Sequence, residues 1–141
     1  MAKHSAALAK AVVDSGALDA LVVCLEEFDP SVKEAAAWAL SYIAKHSAEL
    51  AQAVVDVGAV PLLVLCIQEP EIALKRISAS ALSEICKHSA ELAQSVMDAG
   101  AVPFLSTLIP HPDTQLKRQV CSCLANISKH AVELAENVVE Q

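Results

Sequence analysis

Hydrophobic positions in this chain fall into blocks of helical spacing separated by short polar or glycine-containing breaks. In the stretch 47–57, Leu50, Val54 and Val55 form an apolar stripe, Ser47 stands where an N-cap is needed, and Glu49 lies in the first turn. This predicts a short helix ending before Gly58, where a left-handed residue can turn the chain. Pro61 then fits the first turn of a second helix, and Leu62 to Ile67 is apolar nearly all round, which predicts deep burial. A polar break follows at Glu69-Pro70-Glu71. Over residues 72–86, Ile72, Ala79, Leu82, Ile85 and Cys86 share one side, while Lys75, Arg76, Ser80 and the following Lys87 share another. That pattern predicts a long third helix.

The same blocks recur along the whole chain. Lys-His stands at 3-4, 45-46, 87-88 and 129-130, each pair 42 residues after the last, and Gly16, Gly58 and Gly100 keep the same interval. Residues 45–63 and 87–105 are identical at 15 of 19 positions, so they are copies of one unit rather than two helices that happen to be alike. Asp14, Asp56, Asp98 and Glu140 recur with the period, as do Glu49, Glu91 and Glu133 and the core positions Ile43, Ile85 and Ile127. The units are expected at 3–44, 45–86 and 87–128, with 129–141 the first helix of a fourth. Fold and function must therefore be read per repeat.

Composition narrows the fold and removes several functions. Three glycines, four aromatic residues and abundant Ala, Leu and Val suit an all-α protein. A content of 55% hydrophobic and 19% charged residues requires a buried core. A formal net charge of −7 is the wrong sign for a surface that condenses on phosphates, so neither nucleic acid nor an anionic membrane is an expected partner. The longest stretch free of charged side chains, residues 99–112, is 14 residues long and interrupted by Pro103, Pro110 and Pro112, too short to span a bilayer. The start lacks the apolar run of a secretory signal, so a cytosolic chain is expected. Cys24, Cys66, Cys86, Cys121 and Cys123 all lie in apolar runs and are expected to be reduced core residues.

Three helices in 42 residues exclude the 33- and 34-residue repeat classes and the usual two-helix unit. Ala35-Ala36-Ala37-Trp38-Ala39-Leu40 resembles the third-helix signature of the armadillo-repeat family, and Gly58-Ala59-Val60-Pro61-Leu62-Leu63 the start of that family's second helix. The resemblance covers essentially the whole chain and implies a right-handed armadillo-type α-solenoid. The repeated Lys-His-Ser-x-x-Leu-Ala and Ala-Val-Val-Asp-x-Gly-Ala, with residues 28–40 and 59–77, resemble more closely the axonemal central-apparatus branch, the sperm-associated antigen six family. Membership would imply a scaffold in the cytoskeleton of motile cilia and flagella, supporting central-pair stability and motility, and would make this chain a middle segment of a longer array. No polar capping repeat is seen at either end, so the edges are expected to be apolar and prone to end-to-end self-association.

In such a solenoid, equivalent positions stack roughly 10 Å apart, so a residue recurring every repeat becomes a stripe. The resemblance implies a concave groove lined by third helices, with Glu34, Trp38 and Tyr42, then Arg76, Ser80 and Glu84, then Arg118, Ser122 and Asn126 facing it. The nuclear-import receptors of the superfamily use Trp followed four residues later by Asn in successive repeats. Here Trp38 precedes Tyr42, Ser80 precedes Glu84 and Ser122 precedes Asn126, so no complete pair exists. Lys33, Lys75 and Lys117 with Arg76 and Arg118 would form a local basic strip, either receiving an acidic partner segment through bidentate Arg contacts or forming only a solvated helix-start face. Trp38 is an interface anchor if exposed and core packing otherwise.

Other polar clusters read as architecture. Histidines one repeat apart are too distant to share a zinc ion, and each is expected to pack or hydrogen-bond at the bend into the next helix. Cys121 and Cys123 point to different sides and lack a partner pair, and His111 is an isolated loop residue. No nucleophile elbow, phosphate-binding glycine loop or metalloprotease motif is present, so no enzymatic activity, cofactor or metal is expected. Two functions remain: an axonemal scaffold binding other central-apparatus proteins, with adaptors between this acidic segment and microtubules, or an importin- or catenin-like peptide adaptor in transport or signalling.

Overall fold

A computed structural model describes the backbone of residues 2–140 and the side chains of residues 7–132. The side chains of Lys3, His4, Glu133 and Glu140 lie outside the described residues, as do those of the repeat serine Ser5 and most of the segment 131–139 expected to form an apolar edge. Every element is helical: α1 (Ala2–Asp14), α2 (Ala17–Leu25), α3 (Pro30–His46), α4 (Ala48–Asp56), α5 (Ala59–Cys66), α6 (Ile72–Cys86), α7 (Ala90–Asp98), α8 (Ala101–Leu108) and α9 (Thr114–Glu140). They fall into successive sets of three, and the long helices α3, α6 and α9 stack side by side with α6 in the middle.

The repeat boundaries follow from local chemistry. Ser47 and Ser89 accept hydrogen bonds from the N–H groups of Leu50 and Leu92 at 3.1 and 3.2 Å, satisfying donors that the first turns of α4 and α7 leave open. Gly58 and Gly100 adopt φ of +83°. A Cβ at either would meet nothing within 4 Å, so the backbone conformation rather than crowding demands glycine. At Gly58 the chain swings through 84° between α4 and α5. Ser89→Ala should destabilise the protein by about 1 kcal/mol in urea unfolding, since the Leu92 N–H loses its acceptor.

The fourth unit departs from this pattern. Ala131 stands where the preceding units have Ser47 and Ser89, so no side chain is available to cap a new helix. The bend expected after Lys129-His130 does not form, and α9 runs unbroken for 27 residues. Elsewhere the histidine has the expected role: His88 donates through Nε2 to the Ala44 carbonyl at 2.6 Å, tying one repeat to the one before. His130 is buried.

The core is continuous. Leu40, Leu63, Leu82, Ile85, Leu92, Leu105 and Leu116 are fully enclosed, with buried alanines such as Ala37 and Ala79 letting the third helices approach closely. Two expectations need correction. The second helix is not buried all round, because Leu65 is 58% exposed on the outer face of α5, which packs on one side only. Nor are all cysteines in the core: Cys66, Cys86 and Cys123 are buried, Cys24 is half-buried and Cys121 is exposed, because among the described residues no helix covers its face of α9. Cys86 and Cys123 lie with sulfurs 4.0 Å apart, and that neighbouring thiol together with burial holds the Cys86 thiol above its ordinary pKa. Burial likewise raises the Cys66 pKa. These are thiols without thiolate character.

Candidate functional site: the cleft of the third helices

Parallel stacking of α3, α6 and α9 leaves a cleft of about 470 Å³ whose walls include Glu34, Trp38, Arg76, Ser80, Arg118 and Gln119. Trp38 and Ser80 sit at the middle of α3 and α6, Glu34 and Arg76 one turn earlier, and Arg118 and Gln119 in the first two turns of α9. Trp38 is 52% exposed, which decides between the two roles open to it: it is not a core residue. Its ring lies 6.2 Å from that of Tyr42, and Tyr42 lies 5.9 Å from the His46 ring, an aromatic row one turn apart along α3. Lys45 sits over the Tyr42 ring at 5.9 Å.

The basic strip is not assembled as expected. Lys33 points out of this cleft into a second hollow between α2, α3 and α5, where its Nζ donates to Glu69 Oε1 at 2.7 Å. That bond raises the Lys33 pKa. Arg76 does line the cleft, but its guanidinium binds both carboxylate oxygens of Asp113, through Nε to Oδ1 at 3.0 Å and through a terminal nitrogen to Oδ2. Arg76 thus reaches the cleft with its charge already matched. Lys75 and Lys117 form no ion pair among the described residues, and Arg118 is exposed on the wall with no carboxylate partner there. The surviving charges in the cleft are Glu34 at one end and Arg118 at the other.

Ser122 and Asn126 also face elsewhere. The Ser122 hydroxyl lies 3.0 Å from that of Ser83, and the Asn126 amide donates to the Ser83 hydroxyl and carbonyl at 3.3 and 3.4 Å. These polar groups join α9 to α6. Tyr42 opens onto a separate apolar hollow of about 330 Å³ with Leu8, Val12 and His46. Glu84 is held by Lys87 at 2.5 Å.

Sequence reasoning does not single out Asp113, although Asp29, Glu71 and Asp113 recur at the repeat interval just ahead of each third helix. Its Oδ1 accepts from the Leu116 N–H at 2.8 Å, capping α9, while its own N–H donates to His111 Nδ1 at 3.1 Å. His111 therefore shapes the loop that presents Asp113. The Arg76 guanidinium, followed by the Leu116 N–H, lowers the Asp113 pKa from 3.8 to about 2. A depressed carboxyl pKa contributes stability above the unfolded value and loses it as pH falls toward the folded one. Acid titration should therefore show a stability loss between about pH 4 and pH 2. Asp113→Asn, whose amide can still cap α9, should remove that part of the decline; an unchanged acid profile would sink the assignment.

The armadillo/beta-catenin-like repeat matches residues 5–45, 47–87 and 89–129. The chain belongs to the armadillo repeat family. Its fold is accordingly an all-α armadillo solenoid with three helices per repeat. Among solved structures, two engineered proteins from the Northeast Structural Genomics Consortium are similar. One is 33% identical with a TM-score of 0.84 over 86% of this chain and 50% of its own. The other is 30% identical with a TM-score of 0.85 over 93% of this chain and 56% of its own. A computationally designed armadillo repeat protein for modular peptide recognition is 25% identical with a TM-score of 0.78, over 82% of this armadillo chain and 48% of its own. The chain thus spans about half the length of these three structures. No curated protein matches it. Among the described residues no cluster could hold a metal ion, and no single helix is long and apolar enough to cross a membrane.

Proposed function

We propose that this armadillo chain is a non-catalytic scaffold that receives an extended segment of a partner protein in the cleft between α3, α6 and α9. The observation that carries the reading is Trp38, a large ring half exposed on the wall of a cleft rather than packed in the core. A Trp held in place by helix backbone and a neighbouring ring offers apolar area at little entropic cost, the character of an interface anchor. With Arg76 already matched by Asp113, the fitting segment is not uniformly acidic. It carries an apolar side chain for Trp38, a carboxylate for Arg118 and a cation for Glu34. The similarity to a design made for peptide recognition supports a groove-binding mode.

The place of action we propose is the ciliary or flagellar central apparatus, on the strength of the repeat text that resembles the sperm-associated antigen six family. The net charge of −7 favours adaptor proteins between this segment and the acidic tubulin surface. A transport or signalling adaptor of importin or catenin type is the second reading, favoured by the exposed Trp and weakened by Asn126, whose amide is committed to Ser83. Proximity labelling in flagellated cells, with the chain and its Trp38→Ala variant, tests both. Axonemal neighbours lost on substitution are the expected result. Neighbours kept by the variant would move the interface away from Trp38, and wholly non-axonemal neighbours would replace the scaffold reading with the adaptor one.

A further inference from the structure

The hollow between α2, α3 and α5 measures about 580 Å³ and belongs to a junction whose two sides are both in place. A further repeat would stack beyond the first or the third unit, not between the first and the second. Leu65 makes the point. It sits on α5 in the middle unit, with α2 in the unit before and α8 in the unit after, and is still 58% exposed. Stacking of repeats leaves that side chain open.

The hollow combines apolar walls with an excess of negative charge. Leu25 and Cys66 line it as buried residues, and Leu62 and Leu65 as partly and mostly exposed ones. Leu25 and Cys66 are also the last residues of α2 and α5, so the negative ends of two helix dipoles open here, with no basic residue in either last turn. Glu26 and Glu69 add two carboxylates. Lys33, the cation of the lining, is held by Glu69, and Glu26 forms no ion pair among the described residues.

The architecture does not require these residues. Residues 45–63 and 87–105 are identical at 15 of 19 positions, whereas 64–71 and 106–113 agree only at Ile67 with Ile109 and Pro70 with Pro112. The divergent segment includes Leu65, Cys66, Gln68 and Glu69 of the hollow. At the next junction Thr107 stands for Leu65 and His111 for Glu69, yet α8 and α9 form as α5 and α6 do.

We propose that this hollow is a second docking site, and that its occupant is an amphipathic helix of a partner protein with a basic polar face. Such a helix lays aliphatic side chains at i, i+3 and i+4 over Leu25, Leu62 and Leu65, as an apolar helix face is received in a groove. Lys or Arg beside that stripe meets Glu26 and the second oxygen of Glu69, whose Oε1 is held by Lys33. Burial of apolar surface drives the contact, and the charges select a basic partner over an acidic one. The hollow lies apart from the cleft, so one chain can hold two partners at once.

Fluorescence anisotropy with two labelled synthetic peptides of roughly 18 residues, long enough to become helical on binding, provides the test. One has Leu at helical spacing and Lys elsewhere; the other has Glu in place of every Lys. The Lys peptide should bind the wild-type chain and the Glu peptide should not. Leu65→Thr with Glu69→His installs the residues that the next unit carries at these positions, and circular dichroism verifies that the fold is kept. This variant should bind the Lys peptide roughly tenfold more weakly. Glu91→Gln removes an exposed carboxylate outside the hollow and should change binding less than about twofold. Trp38→Ala should leave it unchanged, which separates this site from the cleft. A Lys peptide that does not bind overturns the proposal, as does a Glu peptide that binds equally well. So does a double variant that binds like the wild type. A loss as large with Glu91→Gln would reduce the effect to attraction by the net charge of −7, and a loss with Trp38→Ala would assign the peptide to the cleft; either overturns it. A wild-type dimer in sedimentation that the double variant dissociates would give the hollow to a second copy instead.

Discussion

Leu82→Ala should lower the unfolding free energy by about 2–5 kcal/mol, the largest loss expected from a single truncation here. Leu82 has no exposed surface and belongs to α6, the helix that packs against α3 on one side and α9 on the other. Truncation removes the transfer free energy of the lost carbons and leaves a cavity between helices whose backbones are fixed by their own hydrogen bonds. In a repeat array, stability is the sum of unit terms and neighbour interfaces, and damage at α6 reaches both interfaces at once. The corresponding shift in melting temperature is of order 10 °C for a chain of this size. Leu65→Ala is the control, since its side chain is mostly exposed and its removal should cost under about 1 kcal/mol. Urea unfolding followed by circular dichroism checks both; equal midpoints for the two variants would mean that the core is not where these contacts place it.

Trp38→Ala should separate binding from stability. Loss of a half-exposed ring removes the pairing with Tyr42 and little core contact, so unfolding should change by no more than about 1 kcal/mol. Loss of an anchor should weaken a segment bound in the cleft by about 2 kcal/mol, roughly 30-fold. A fluorescently labelled peptide selected against the wild-type chain provides the anisotropy probe. Arg118→Gln should weaken the same peptide less, because a charge at the rim of an open cleft is well solvated. An affinity insensitive to Trp38→Ala would place the binding surface elsewhere on the solenoid.

The particular residues show where sequence reasoning suffices. Ser47, Gly58 and Pro61 act through their own backbone neighbours, so cap, turn and helix start were readable from residue type and spacing alone. The α6 range followed from the spacing of its apolar side, and the failure of the bend at residue 130 has a local cause in Ala131. Leu65 and Cys121 were less legible: hydropathy says that a residue can be buried, whereas exposure depends on whether a neighbouring helix arrives to cover it.

The sequence by itself determined the period, the three-helix unit and the core face of α6, because capping, left-handed turns and helical amphipathicity depend on contacts within a few residues along the chain. The tertiary structure alone decided which of the stacked polar residues are available. Lys33 and Glu34 are adjacent in sequence, yet one projects into a hollow with Glu69 and the other lines the cleft. Arg76 and Arg118 are equivalent by period, yet Arg76 is paired with Asp113 while Arg118 meets no carboxylate among the described residues. Those outcomes rest on partners 36 or 37 residues away, brought together by the stacking of one repeat on the next.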